Sequence, residues 1–132
     1  MSILWQAGKA INKDEWKEKG LEVLLQSTKR TAYHDSLVTD AGICHGSAGI
    51  ALIFRRMYLE TKLDDFKSGT QYWINQTLEL ASLEESLGYK HSLRDSWVSD
   101  YSLLTGISGI GLVLLSYLHD EQQNWDEMLL IS

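Results

Sequence analysis

A chain of 132 residues, 44 % hydrophobic and 23 % charged, has the makeup of one ordinary globular domain and not of a disordered segment. Its net charge of −6 argues against a nucleic-acid surface, which needs clustered Lys and Arg. One cysteine excludes an intrachain disulfide and fits a reducing compartment.

Residues 1–11 show no clear hydrophobic period and no signal-peptide pattern. Asn12 with Glu15 three places on reads as a helix start, and a helix is predicted over 13–29. Trp16, Gly20, Val23, Leu24 and Ser27 fall on one helical face, while Lys29 and Arg30 suit its C-terminal end. Residues 31–41 form a polar loop with His34, Asp35 and Asp40. A helix over 47–61 is apolar on most sides except at Arg55 and Arg56, which predicts deep burial. An amphipathic helix over 64–84 follows, with Phe66, Trp73, Ile74, Thr77 and Ala81 on one face.

The connection from Glu84 to Tyr101 is long enough that it should be functional or carry a short turn of its own. A helix over 107–119 and a short helix or strand-like tail over 125–131 complete the chain. No strand pattern is evident elsewhere. The longest apolar block, Leu103 to Leu118, is shorter than the roughly 20 residues that cross a bilayer. Trp16, Tyr72 and Trp73 stand at helical spacing and read as packing.

An internal repeat organises these elements. Gly46-x-x-Gly49-Ile50-x-Leu52 recurs 60 residues on as Gly106-x-x-Gly109-Ile110-x-Leu112. Each copy opens a strongly apolar helix, and each is preceded by a more amphipathic one. The unit is thus an outer, half-exposed helix, a loop and an inner, buried helix. Ile50, Ile53, Phe54, Ile110, Val113 and Leu114 are the expected core. An open stack and a closed ring of pairs would give the same pattern.

The only cysteine, Cys44, precedes His45 inside Gly42-Ile43-Cys44-His45-Gly46. Thiolate and imidazole are both donors that suit zinc. Adjacent residues diverge on a helix or strand, but a loop can converge them, and Gly42 and Gly46 supply the backbone freedom. A helix starting near Ser47 would also favour the thiolate form of Cys44. The plain alternative is a buried small cysteine beside a hydrogen-bonded loop histidine. His34, His91 and His119 lie in or beside polar sequence and read as solvated. His91, in the long connection, is the best substitute donor among them.

Gly-Ile-Cys-His-Gly-Ser-Ala-Gly-Ile-Ala, residues 42–51, closely resembles the zinc motif of the lanthionine synthetase C-like (LanC) family, the lanthionine cyclases. Leu103 to Leu118 is similar to that family's last inner-helix repeat, and Asn124 to Ile131 to the ending of its bacterial members. The resemblance implies an all-α fold, a partial alpha/alpha toroid of outer and inner helical pairs. The loops 42–46 and 101–106 would then line one mouth of a central cavity, with His91, Asp100, Thr105 and Ser108 as candidate lining residues. It further implies a zinc-dependent enzyme that adds peptide cysteine thiols to dehydroalanine or dehydrobutyrine during lantibiotic maturation.

By position, Cys44 and His45 match two of the three zinc ligands. The third, a cysteine of an earlier Trp-Cys-x-Gly motif, has no counterpart, nor do the upstream residues proposed for proton transfer. Residues 1–132 are therefore expected to be one C-terminal segment, inactive alone. The alternative is a non-catalytic, peptide-binding helical remnant. Implied partners are a dehydrated precursor peptide, a dehydratase and an exporter. The implied location is cytoplasmic, with membrane association only through those partners.

Overall fold

The structure is a computed structural model that describes residues 2–31, 36–82, 88–93, 96–119 and 124–129. Five α-helices are present among them: α1 (Ser2–Ala10), α2 (Asp14–Ser27), α3 (Ser47–Thr61), α4 (Asp64–Glu79) and α5 (Ile107–Tyr117). A hairpin of β1 (His91–Leu93) and β2 (Ser96–Val98) stands between α4 and α5, and a 3-10 turn spans Trp125–Leu129. The fold is all-α in its framework. Packing of α1 on α2, α3 on α4 and α3 on α5 is consistent with a partial alpha/alpha toroid. No described helix is long and apolar enough to cross a membrane.

α3 is the central element. Ala48, Ala51, Leu52, Phe54 and Met57 are all buried, and so are both arginines. The Nη2 of Arg55 donates to the carbonyl of His119 at 2.5 Å. The Nε of Arg56 donates to Asp126 Oδ2 at 2.7 Å, and its Nη2 pairs with Asp126 Oδ1. Burial, then the neighbouring Arg55 charge, pull the Arg56 pKa down. The sequence places these cations on a helix that is otherwise apolar; the chain following α5 supplies the oxygen atoms that make their burial affordable.

α4 covers one side of α3 through Phe66, Trp73, Ile74 and Thr77. Phe54 and Phe66 lie with ring centroids 6.0 Å apart, and Ser47 Oγ and Thr77 Oγ1 are 2.7 Å apart. The helix ends at Glu79, short of the predicted 84, and Ala81 lies outside it, exposed. Of the expected core, Phe54, Ile110 and Val113 are fully buried, while Ile50, Ile53 and Leu114 are half-buried against it.

Two elements differ from the sequence expectation. α1 forms where no period was evident, and it is held by distant partners. Trp5 Nε1 donates to Glu60 Oε2 at 2.6 Å, Gln6 Nε2 to Glu60 Oε1 at 3.1 Å, and Lys9 Nζ to Glu60 Oε2 at 2.9 Å. Burial alone would raise the Glu60 pKa, but these donors outweigh it and hold the carboxyl below its usual value. At the α1–α2 crossing a Cβ on Gly20 would stand 2.9 Å from the Trp5 nitrogen, so only glycine permits this approach. Asn12 does not cap α2. It adopts a left-handed conformation (φ 53°) and turns the chain between α1 and α2, while Lys13 is the N-cap.

The hairpin is the second difference. Its antiparallel register pairs His91 with Val98, Ser92 with Trp97 and Leu93 with Ser96. Three-residue strands are too short for an alternating pattern to stand out. The 125–131 segment forms a 3-10 turn over its described part, fastened by Arg56–Asp126 and by Trp125 Nε1 donating to Ser116 Oγ at 2.7 Å.

Candidate metal centre

The loops entering α3 and α5 are copies of one structure. In the first, Asp40 Oδ1 accepts from the Gly42 N–H at 3.1 Å, and its carbonyl accepts from the Ser47 N–H at 2.9 Å. In the second, Asp100 Oδ1 accepts from the Ser102 N–H at 2.8 Å, and its carbonyl accepts from the Ile107 N–H at 2.9 Å. Each loop thereby supplies an acceptor to the first turn of its inner helix, whose N–H groups have no partner inside the helix. The glycines serve one purpose in both copies. A Cβ on Gly49 would lie 1.9 Å from the Ile43 carbonyl oxygen, and one on Gly109 would lie 1.8 Å from that of Leu103. The repeat therefore extends six residues upstream of Gly46, to the Asp40/Asp100 pair.

The two loops touch. The Cys44 N–H donates to the Leu104 carbonyl at 2.9 Å, and a Cβ on Gly42 would meet Thr105 Cα at 3.2 Å. Both inner helices consequently open on the same side of the molecule, and β1 approaches that side with His91.

Asp40 is the hub of the first loop. Its side chain is 1 % exposed, and its Oδ2 lies 3.1 Å from His91 Nδ1 and 3.4 Å from His45 Nε2. The two imidazoles meet edge to face, with centroids 5.5 Å apart. One donor atom from each of Asp40, His45 and His91 lies within 4.8 Å of the others, so the three could hold a metal ion. His45 is half-exposed at the mouth, whereas His91 is 12 % exposed. A cleft of about 230 Å³ is lined by Asp40, Tyr89 and Trp97 among others.

The candidates from the sequence fall into two groups. His45 and His91 come together at Asp40; Cys44 is exposed on the same loop and is not one of the three. Asp100, Thr105 and Ser108 have their polar groups engaged within the second loop. Thr105 Oγ1 donates to Asp100 Oδ2, Ser102 Oγ donates to the same oxygen at 2.9 Å, and Ser108 Oγ donates to the Tyr101 carbonyl at 2.5 Å. The Thr105 hydroxyl first, then the Ser102 N–H and hydroxyl, hold the Asp100 carboxyl below its usual range. His119 is exposed and its carbonyl accepts from Arg55. His34 lies outside the described residues.

Asp40 is the residue that sequence reasoning did not single out. The signal was present: 60 residues separate it from Asp100, the spacing of the glycine repeat.

The sequence matches no curated protein. The family model described as lanthionine synthetase C-like protein matches residues 1–130, nearly the whole chain, with the loop that carries Cys44 and His45 well inside the matched span. On that match the chain belongs to the lanthionine synthetase C-like family.

Proposed function

We propose that this chain takes part in zinc-dependent thioether formation, the addition of a peptide cysteine thiol to dehydroalanine or dehydrobutyrine. The observation that supports it is the position of the motif loop. Gly42 to Ala51 enters the most buried helix and sets His45 beside a buried carboxylate and a second histidine.

The reaction is a conjugate addition without oxidation or reduction. A carbon–sulfur bond forms at the β-carbon of the dehydro residue, the carbon–carbon π bond breaks, and the thiol proton's equivalent ends on the α-carbon. The obstacle is the thiol itself. With an ordinary pKa of about 8.5, only a few per cent is thiolate at neutral pH.

Two imidazoles and a carboxylate suit zinc, which takes nitrogen and oxygen donors readily and leaves one position open when three side chains hold it. When bound, the ion would supply Lewis acidity that favours the thiolate form of a substrate cysteine. The chain's own residues do the rest. Asp40, clamped by the Gly42 N–H, holds its second oxygen toward both histidines. His45, half-exposed, faces the mouth through which a peptide would enter. Exposed Leu104, Trp97 and Tyr101 offer that peptide apolar contacts nearby.

The dehydrated precursor peptide is the partner this reading requires, with a dehydratase upstream and an exporter downstream. In the wider ring, this segment would contribute the two glycine-led inner helices, and the proton donor for the α-carbon would come from another segment. Turnover by this chain alone is therefore expected to be absent, and thiol capture is the step to measure. A metal-loaded chain titrated with a cysteine-containing peptide should bind it, and a serine-substituted peptide should bind at least tenfold more weakly. Equal binding of the two would remove the thiol from the reading and leave a peptide-binding remnant.

A further inference from the structure

We propose that the cleft between the C-terminal ends of α3 and α5 and the start of α4 binds a phosphate-bearing small molecule, held by Lys62 and Lys67. The cleft has a volume of about 570 Å³ and is lined by Arg55, Tyr58, Lys62, Lys67, Tyr117 and His119 among others. Sites that enclose a small organic ligand run to about 300–1,000 Å³. α3 starts at the candidate metal centre and spans 15 residues, so about 22 Å of helix separates the two places. The inference is independent of the thioether reading and uses none of its residues.

Charge points to the ligand. The chain has a net charge of −6, yet among the described residues no carboxylate lines this cleft. Lys62 Nζ stands 5.5 Å, and Lys67 Nζ 5.9 Å, from the centroid of the same Tyr58 ring. Lys9, Lys17 and Lys19 are each paired with a carboxylate; among the described residues neither Lys62 nor Lys67 is. Asp64 and Asp65, close by in sequence, line a different cleft with Lys29. The C-terminus of α3 carries about half a negative charge, too little to balance two ammonium groups. The Arg55 contact to the His119 carbonyl joins the α3 wall of the cleft to the chain after α5.

The turn before α2 shows what the same sequence does elsewhere. Asp14-Glu15-Trp16-Lys17 and Asp64-Asp65-Phe66-Lys67 open α2 and α4 at an interval of 50 residues. Each follows a residue in the left-handed conformation, Asn12 (φ 53°) or Lys62 (φ 58°). In the first copy the lysine turns back onto its own helix, with Lys17 Nζ 2.5 Å from Asp14 Oδ1. In the second, Lys67 lies over Tyr58 instead, and the residue equivalent to Asn12 is a second lysine. Two positive charges are thus gathered where the other copy has one, already paired.

Such a pair favours a doubly charged anion, and a phosphate monoester approaches that charge at neutral pH. Ammonium groups bind phosphate as point charges and need no fixed fork geometry. Tyr117 and the exposed Leu118 give the organic part of the ester an apolar wall.

The test titrates the whole chain with phenyl phosphate at fixed ionic strength, followed by calorimetry, with inorganic phosphate and phenol as comparisons. Phenyl phosphate should bind saturably and raise Tm as it does so. Inorganic phosphate should bind several-fold more weakly, and phenol not at all. Lys62→Asn, which suits the left-handed backbone there, and Lys67→Gln should each weaken binding about three- to tenfold, and the double change by more. Lys19→Gln, on the surface of α2, should leave it unchanged. Circular dichroism reports whether each variant remains folded, and the wild-type titration decides the matter even where one does not. No saturable binding of phenyl phosphate would overturn the proposal, as would full affinity in the folded double variant. Binding to phosphatidylglycerol vesicles with none to phenyl phosphate would overturn it too, and make this end of the molecule a membrane-facing surface. Failure of peptide thiol capture with phenyl phosphate binding intact would remove the thioether reading and leave this one standing.

Discussion

Asp126→Ala tests whether the segment after α5 is part of the folded unit or an appendage. The carboxylate is 1 % exposed and meets Arg56, 4 % exposed, through two parallel contacts, Nε to Oδ2 at 2.7 Å and Nη2 to Oδ1. Removing one member of such a pair leaves the other charge buried without its counter-ion, which typically costs about 3–5 kcal/mol. Arg55, adjacent and also buried, opposes the Arg56 charge, while Glu60 and Glu127 partly offset it, so the cost stays within that range. Against a total stability of roughly 5–15 kcal/mol, this is a large fraction. For a domain of this size it corresponds to a fall in Tm of roughly 10–20 °C. Urea and thermal unfolding followed by circular dichroism would measure it, with Asp14→Ala as the comparison. Asp14 pairs with Lys17 on the surface and should cost under about 1 kcal/mol. The double change Arg56→Met/Asp126→Leu should recover most of the loss, since replacing a buried ion pair by apolar residues is often neutral. A cost below about 1 kcal/mol for Asp126→Ala would refute the reasoning and mean that the 3-10 turn detaches freely.

Three further outcomes follow from other parts of the molecule. Gly49→Ala should abolish stable folding or lower Tm severely, because its Cβ would fall 1.9 Å from the Ile43 carbonyl oxygen, whereas Gly111→Ala meets nothing within 4 Å and should stabilise α5 by about 0.4–1 kcal/mol; equal effects in thermal unfolding would contradict this. The lowered Glu60 pKa implies stability that is fully present above its ordinary 4.5 and is lost as pH falls through the lower folded value. That acid-dependent loss should diminish in Glu60→Gln, read as unfolding free energy across the acid range. Metal binding requires neutral imidazoles and ionised Asp40, so affinity should decline on acidification with release of protons on binding; a pH-independent affinity by titration calorimetry would exclude histidine ligation.

Much of the framework was legible because local pattern and tertiary role coincide there. The predicted 47–61 matches α3 end to end, 13–29 overruns α2 by one residue at its start and two at its end, and 107–119 overruns α5 by two at its end alone. These helices carry their burial stripe in their own sequence. α1 does not: its anchor is Glu60, 51–55 residues away, and its packing depends on a glycine in α2. The hairpin leaves no period because three residues per strand are too few, and its role is to position His91 opposite Val98.

For the site, a motif names residue types and a fold decides which of them meet. The dipeptide Cys44-His45 drew attention to the loop on which the three-residue group Asp40, His45 and His91 is built. Asp40 and Asp100 show how such a loop is made. Each sits six residues before the glycine that opens an inner helix, and each uses its carbonyl and Oδ1 to build the loop. That shared structural task leaves the second carboxylate oxygen of each aspartate to whatever the neighbouring positions provide. Where they provide a threonine and a serine, the result is a hydrogen-bonded turn. Where they provide a histidine and a glycine, and a hairpin adds a second histidine, the same oxygen becomes the centre of a candidate metal site. Exchanging Thr105 for histidine would test that logic. Thr105→His should bring an imidazole to Asp100 Oδ2 without creating a metal site, because the Ser102 hydroxyl still occupies that oxygen. A metal-binding step gained in that variant and absent from the wild type, read by titration calorimetry, would refute that logic.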